Sequence, residues 1–374
     1  MFPQPWIFLI ATIFATSVFM SSLVESFPEA DKVKSLPEQS PLVLWLNGES
    51  YLCVIFSSFN CLVASAGPVC TSVGVGAFTE HGPFVTNQGE AIEKNQYSWN
   101  KEANILYLES PAGVGFSYSL NLPFYKTLNN EVTARDSLVF LQRWFAKFPE
   151  YKNRDFYIMG ESYGGHYSKV NFNIKGITIG NPLLDFDTDM NAVDEYYWSH
   201  GIITDYAYKI MTSLCNSSRV LREYFSGQIS KDCVLLQLKK SQKFDECNLK
   251  YSEMYLNRKD VQKALHARLD YDPLNREIPT INVVGFFVKS VYTGDQDSVI
   301  PCMGTRRLVD RLAKTLGLKT TVPYSSWFVD KQVGGWTQVY GNHLSYATVR
   351  GASHGTPVTQ GHMAPCLKLQ RKPM

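Results

Sequence analysis

A short apolar run, Asp155 to Met159, opens straight into Gly160-Glu161-Ser162-Tyr163-Gly164. That junction constrains the chain more than any other feature. The run reads as a buried strand. A serine with glycine two residues away on either side, placed where a strand ends, must sit on a very tight turn. Glycines there let strand and helix approach closely and push Oγ into the open. The letters Gly-x-Ser-x-Gly arise often by chance, so the placement after a strand carries the weight. A sharp strand-to-helix turn of this kind belongs on an α/β sheet.

The rest of the chain agrees with that expectation. Residues 41–47 (Pro-Leu-Val-Leu-Trp-Leu-Asn) and 104–109 are short buried strands closed by turn residues. Residues 174–180, 286–294 and 344–350 have the same character. Residues 130–148 read as helix, with Leu138, Leu141, Trp144 and Phe145 at helical spacing. From about 184 to 285 the pattern turns polar, helical and aromatic, with Val261, Ala264 and Leu265 on one apolar face. That stretch is expected to be a helical cap inserted into the sheet. Gly67 to Gly82 has the composition of a loop, and residues 49–66 are apolar without clear period. Alternating strands and helices predict a mostly parallel central sheet with helices on both faces. Apolar residues make up 45% of the 374, which is enough for a sizeable core. The 36 basic and 34 acidic side chains nearly cancel and form no basic block, so no nucleic-acid partner is expected.

The N-terminus and the cysteines speak to compartment. Trp6 to Val24 carries no charged side chain, and Ser21, Ser22 and Glu25 follow or close it. Residues 1–25 read as a secretory signal peptide, leaving 26–374 as one domain. The n-region lacks Lys and Arg, and nineteen uncharged residues also fit a retained signal anchor. Thr and Ser within 13–22 weigh against the anchor, so no stable membrane association is expected after cleavage. The destination would be secreted or vacuolar. Eight cysteines (Cys53, Cys61, Cys70, Cys215, Cys233, Cys247, Cys302, Cys366) form no Cys-x-x-Cys pair. A structural zinc or a thioredoxin-like site is therefore not expected, and scattered disulfides are. Asn216-Ser217-Ser218 is a glycosylation sequon at Asn216.

A serine hydroxyl needs a base, and the base needs a carboxylate to fix its tautomer. On an α/β sheet with such an elbow the order is Ser, then Asp or Glu, then His. Of seven histidines, His81 and His343 sit in apparent loops, and His200 and His266 fall in the cap. His166 is too near Ser162 in sequence to swing back, and His362 lies in an irregular tail. His354 follows the strand 344–350 on a loop of small residues, and order and position favour it. For the acid, Gly294-Asp295-Gln296-Asp297 ends a strand. Two carboxylates two residues apart cannot both face one imidazole. One is expected to bond backbone and shape the turn, and spacing leaves open which.

Six segments, taken together, resemble the plant serine carboxypeptidase-like family. They are Leu-Trp-Leu-Asn-Gly (44–48), Gly-Val-Gly-Ala-Phe-Thr-Glu-His-Gly-Pro-Phe (74–84) and Glu-Ser-Pro-Ala-Gly-Val-Gly-Phe-Ser-Tyr (109–118). Gly-Glu-Ser-Tyr-Gly-Gly-His-Tyr (160–167), Gly-Asp-Gln-Asp-Ser-Val-Ile-Pro (294–301) and Val-Arg-Gly-Ala-Ser-His (349–354) complete the set. The resemblance implies an α/β-hydrolase fold, no cofactor or metal, and a peptide or acyl-ester substrate. It implies a serine-type carboxypeptidase working through an acyl-enzyme. An acyltransferase that passes a glucose-ester acyl group to an alcohol, or a catalytically impaired relative, are the other readings. By resemblance Ser162, Asp297 and His354 form the triad, Asp297 filling the second Asp of the family's Gly-Asp-x-Asp. The oxyanion hole would use the amides of Tyr163 and Gly67. Asn47, Gly48 and Glu161 would hold the substrate's terminal carboxylate, with Glu80 as partner to Glu161. A carboxyl group hydrogen-bonds a carboxylate only when protonated. Burial beside a second acid favours that form, so activity is expected to be best in acid. The resemblance also pairs Cys70 with Cys247 and Cys215 with Cys233.

The chain departs from the family in several places, among them the stretch before Pro41, the strand before Asp295, the final helix, and Val69 in place of a loop Gly. Residues 49–66 interrupt an Asn-Gly-Gly-Pro-Gly loop after Gly48, and the pattern resumes at Gly67-Pro68-Val69-Cys70-Thr71-Ser72. Only His166 to Asn173 separates the elbow from the next strand, about two helical turns at most. The cap is shortened. After His354 the family's usual residues give way to Gly355-Thr356-Pro357. These insertions and deletions predict a split oxyanion loop and a sheet short of cover behind the serine.

Overall fold

The computed structural model describes residues 40–47, 71–87, 91–162, 174–226, 230, 255–256, 258–265, 290–329 and 331–360. The leader, the 49–66 segment and the residues between the elbow and the next strand lie outside these. Among the described residues the strands are β1 (Leu42–Asn47), β2 (Phe84–Asn87), β3 (Ala91–Lys94), β4 (Asn104–Tyr107) and β5 (Phe156–Glu161). They continue with β6 (Ile174–Gly180), β7 (Ser290–Gly294), β8 (Thr320–Val329), β9 (Gln332–Tyr340) and β10 (Leu344–Val349). Eight of them form one sheet in the order β4-β1-β5-β6-β7-β10-β9-β8, and β2 and β3 form a separate ribbon. The sheet is parallel from β4 through β10 and antiparallel across β9 and β8. The mostly parallel sheet expected from the alternating pattern is therefore present.

β1 shows why its apolar run is unbroken. It lies between β4 and β5 and is buried on both faces, as inner parallel strands are. Leu42, Leu44 and Leu46 turn to one face with Ile158 and Ile179. There they meet Leu141 and Phe145 of α1 (Asn130–Lys147), Met190 of α2 (Phe186–Ser199), and Val309 and Ala313 of the helix Cys302–Thr315. Val43 and Trp45 turn to the other face and pack with Met159, Tyr292, Trp99 and Ala103. Burying each large apolar side chain stabilises the sheet by about 1.5–3 kcal/mol. The helices start where short polar side chains take over their first amides. Asn129 caps α1 through Val132 N (2.9 Å), and Asp185 caps α2 through Thr188 N (2.9 Å).

The stretch expected as a cap holds α2, then α3 (Asp205–Leu214), α4 (Ser217–Ser226) and α5 (Lys259–Ala264). Its first helix joins the main core through Met190 and packs against the helix Cys302–Thr315, hereafter α6. Three elements depart from the sequence reading. Ser72–Glu80, within the expected Gly-rich loop, is a π-helix whose first turn is capped by Thr71 through Gly74 N (2.8 Å). Its glycines carry no apolar period to reveal it. The hairpin of β8 and β9 is legible in no alternation, because β8 is exposed at nearly every position except Trp327. α6 follows Pro301 with its apolar residues Leu308, Val309 and Ala313 spaced to cover β7 and β10.

Candidate active site

The site forms along the C-terminal edges of five neighbouring strands, β1, β5, β6, β7 and β10. Ser162 leaves β5 with φ 77°, in the left-handed region. A non-glycine residue there costs of order 1–3 kcal/mol and persists only when its surroundings over-determine it. They do so here: Glu161 is in register with Asn47 of β1 on one side and Gly180 of β6 on the other. Ser162 O also accepts from Leu183 N at 3.2 Å. Ser162 is fully buried, and its Oγ makes no hydrogen bond among the described residues.

The acid and the imidazole are joined. His354 Nδ1 lies 2.9 Å from Asp297 Oδ2. Asp297 is fully buried, and its other oxygen accepts from Val299 N (2.8 Å) and Ile300 N (2.9 Å). Asp295 faces elsewhere: its Oδ1 accepts from Gly351 N at 2.7 Å and ties the β7 turn to the end of β10. Of these two carboxylates Asp297 meets the ring, and Asp295 ties backbone to backbone. Sequence reading missed Asn181, which follows β6 with φ 41°. Its Nδ2 donates to Asp297 Oδ2 at 2.6 Å, and its Oδ1 accepts from Thr356 Oγ1 at 2.9 Å. A Gly-Asn-Pro at a strand end was the only signal, and it reads equally well as a plain turn.

The opposite side of the site is built on buried aromatics. Asn47 at the end of β1 donates from Nδ2 to Glu161 Oε2 at 3.3 Å, while Trp45 Nε1 donates to Asn47 Oδ1. Asn47 N donates to Ser72 Oγ at 3.0 Å. The two ends of the 48–70 segment thus meet within one hydrogen bond. The π-helix presses against this point. A Cβ on Gly76 would sit 2.6 Å from Trp45 Nε1 and 2.9 Å from Asn47 Oδ1, so only glycine fits. The same π-helix delivers Glu80 and His81 to the interior, although both read as loop residues in sequence. His81 lies stacked on Trp99 and edge-on to Trp45, and its Nδ1 lies 3.1 Å from Tyr107 Oη. Burial pushes the His81 imidazole down to about 3. Burial, and then the Glu80 charge, push the Tyr107 hydroxyl up.

Several expected residues lie outside the described ones: Gly48, Gly67 and Tyr163, and also Cys70, Cys233 and Cys247. Cys215 is in a disulfide whose partner lies there too, and Cys302 is a free thiol. Asn216 sits before α4, and its Oδ1 accepts from Arg219 N at 3.0 Å. Among the described residues no helix is long and apolar enough to cross a membrane.

The serine carboxypeptidase family model matches residues 27–234 and 226–368. Serine carboxypeptidase-like 45 of Arabidopsis thaliana is 49% identical over 389 residues, covering 87% of this chain and 80% of that protein. Serine carboxypeptidase-like 46 of the same plant is 47% identical over 396 residues, covering 88% and 81%. The solved structure of Kex1(Δ)p, a prohormone-processing carboxypeptidase from Saccharomyces cerevisiae, shares the fold. It superposes with a TM-score of 0.66 at 19% identity, covering 89% of this chain and 83% of that one. An α/β-hydrolase sheet, a strained serine at its centre and these matches together place the chain in the serine carboxypeptidase family.

Proposed function

We propose that this chain is a serine-type carboxypeptidase that releases C-terminal residues from peptides through Ser162, Asp297 and His354. The observation that carries the reading is the Asp297–His354 bond, made by Nδ1 at 2.9 Å. It assigns proton transfer to Nε2, the nitrogen turned from the acid. Nε2 takes the Ser162 proton as Oγ bonds to the scissile carbonyl carbon. The same proton goes to the leaving amine as the C–N bond breaks. Water then attacks the acyl-enzyme, giving its proton to Nε2, and Ser162 Oγ leaves with that proton. The amides of Tyr163 and Gly67 would stabilise the oxyanion. Donors of this kind contribute about 3–4 kcal/mol each.

Exopeptidase selectivity would come from Asn47, Gly48 and Glu161, with Glu80 as partner to Glu161. Asn47 and Glu161 are in hydrogen-bond contact and both buried, so a substrate carboxylate arriving there must be met by donors. Comparing an N-blocked dipeptide with its C-terminal amide tests this. The free acid is expected to react at least ~100-fold faster in kcat/KM, as for sites that hydrogen-bond a specific group. Equal rates would refute the carboxylate site. Adding an alcohol acceptor measures how much acyl group goes to transfer instead of water.

Entry to the secretory pathway is part of the same reading. The disulfide at Cys215 fits an oxidising compartment. A cleaved leader at residues 1–25 and a glycan on Asn216 are the expected products. N-terminal sequencing and the mass change on deglycosylation of secreted protein check both.

A further inference from the structure

Asn181 is fully buried and sits at the centre of a network that the triad reading does not use. Its backbone N donates to Tyr292 O at 2.8 Å, which fixes it to β7. Its φ of 41° is a conformation that asparagine adopts more readily than most residues. The carboxamide has one possible orientation. A carboxylate only accepts, so Nδ2 must face Asp297, at 2.6 Å. Oδ1 then faces Thr356, whose hydroxyl lies 2.9 Å away and also 3.2 Å from Ser353 O. Asn181 Nδ2 lies 3.5 Å from Ser353 O as well. Ser353 and Thr356 flank His354 within one short loop. One side chain thus grips the acid with its nitrogen and the loop carrying the base with its oxygen.

We propose that Asn181 is a positioning residue, tying Asp297 to the His354 loop through Thr356. The inference rests on the reading of Asp297 and His354 as acid and base. Asp297 Oδ2 accepts from both Asn181 and His354. A donor on that oxygen spreads its charge and weakens its pull on the imidazole proton. Removing the donor concentrates charge on the ring's partner, and His354 holds its proton to higher pH. Other groups within electrostatic reach of Asp297 are Asp189 and Tyr196 of α2 and Cys302 of α6. Asp295 completes the turn, and Arg306 acts on Cys302. None of them bonds the oxygen that His354 uses.

The test is the NMR titration of His354 in isotopically labelled full-length protein, a readout that needs no turnover. Asn181→Ala is expected to raise the His354 midpoint by about half a unit to one unit, the scale of one charge-assisted hydrogen bond. Thr356→Val, near-isosteric and safer for folding, should raise it less and broaden the signal. Thr356→Ser, which keeps the hydroxyl, should restore the wild-type curve. The acid limb of fluorophosphonate labelling should move upward in parallel, with a rate lower by about two- to fivefold at the wild-type midpoint for Asn181→Ala. A folded Asn181→Ala or Thr356→Val protein whose His354 midpoint matches wild type overturns the proposal. A purely structural role predicts that result, with only the melting temperature lowered. Wild-type protein that titrates as described but never labels sinks the enzyme reading and leaves this one standing.

Discussion

Asp297 and His81 are fully buried titratable groups on opposite sides of one site, and their surroundings treat them differently. Asp297 is met by donors: Asn181, His354, Val299 N and Ile300 N. His81 is met by rings: Trp99 on its face, Trp45 at its edge, Tyr107 beyond. Hydrogen bonds define the first side, and desolvation defines the second. On the donor side the geometry of one carboxylate is over-determined, as a group that must orient a base requires. On the aromatic side, burial alone sets the proton affinity of the imidazole.

The sharpest way to break the comparison is at the donor side. Asp297→Asn and His354→Ala are each expected to lower kcat/KM by about 10⁴-fold with the fold intact. Steady-state kinetics with a circular dichroism control measures it, and a loss below tenfold would remove the contrast.

The next effect is on stability, and its sign follows from burial. Burial keeps the His81 imidazole neutral down to about pH 3, against an ordinary value of 6.5. Between these, the unfolded chain binds a proton that the native state refuses, so stability falls by up to several kcal/mol as pH drops. Burial acts oppositely on two acids. Glu109, under the turn where Phe116 N donates to it, and Asp189, which accepts from Leu184 N and Asp185 N, are both pushed up to about 7. Native protein binds their protons first, so stability falls as pH rises from roughly 4.5 to about 7. Taken by themselves, the three groups give a stability maximum at about pH 4. His81→Asn should flatten the acid side and Glu109→Gln the neutral side. A wild-type melting temperature that climbs steadily to pH 7 would contradict this account of the buried half.

Smaller effects separate binding from chemistry. Asn47→Ala is expected to raise KM for free-acid peptides by about 10–100-fold, with kcat within about threefold. Glu161→Gln should make KM insensitive to pH, because an amide donates at any pH. Gly76→Ala forces a methyl into Trp45 and Asn47 and should cost about 1–3 kcal/mol in chemical denaturation, with a parallel rise in KM. A Gly76→Ala protein of unchanged KM would show that the π-helix does not position Asn47.

Much of this architecture can be read from the sequence. β1, β5, β6 and β10 are short apolar runs with turn residues at their ends, and burial on both faces makes such runs conspicuous. Ser162 declares itself because its strain needs glycines around it. His354 follows from order and loop position. The choice between Asp295 and Asp297 does not, since it depends on which carboxylate meets Gly351 N across the sheet. Asn181 is equally hidden, because its partners lie 116 and 175 residues away. The burial of Glu80 and His81 is hidden too, because the π-helix that carries them inward has no periodic signature. Local pattern reveals elements, and the site is assembled from contacts between their ends.

The central claim is that Ser162 is a nucleophile activated by the Asp297–His354 pair. A fluorophosphonate probe applied to folded, secreted protein tests it most directly. The account predicts one covalent adduct per chain, lost in Ser162→Ala and greatly slowed in His354→Ala. Folded wild-type protein that takes up no probe, or a Ser162→Ala protein labelled to the same extent, would contradict it.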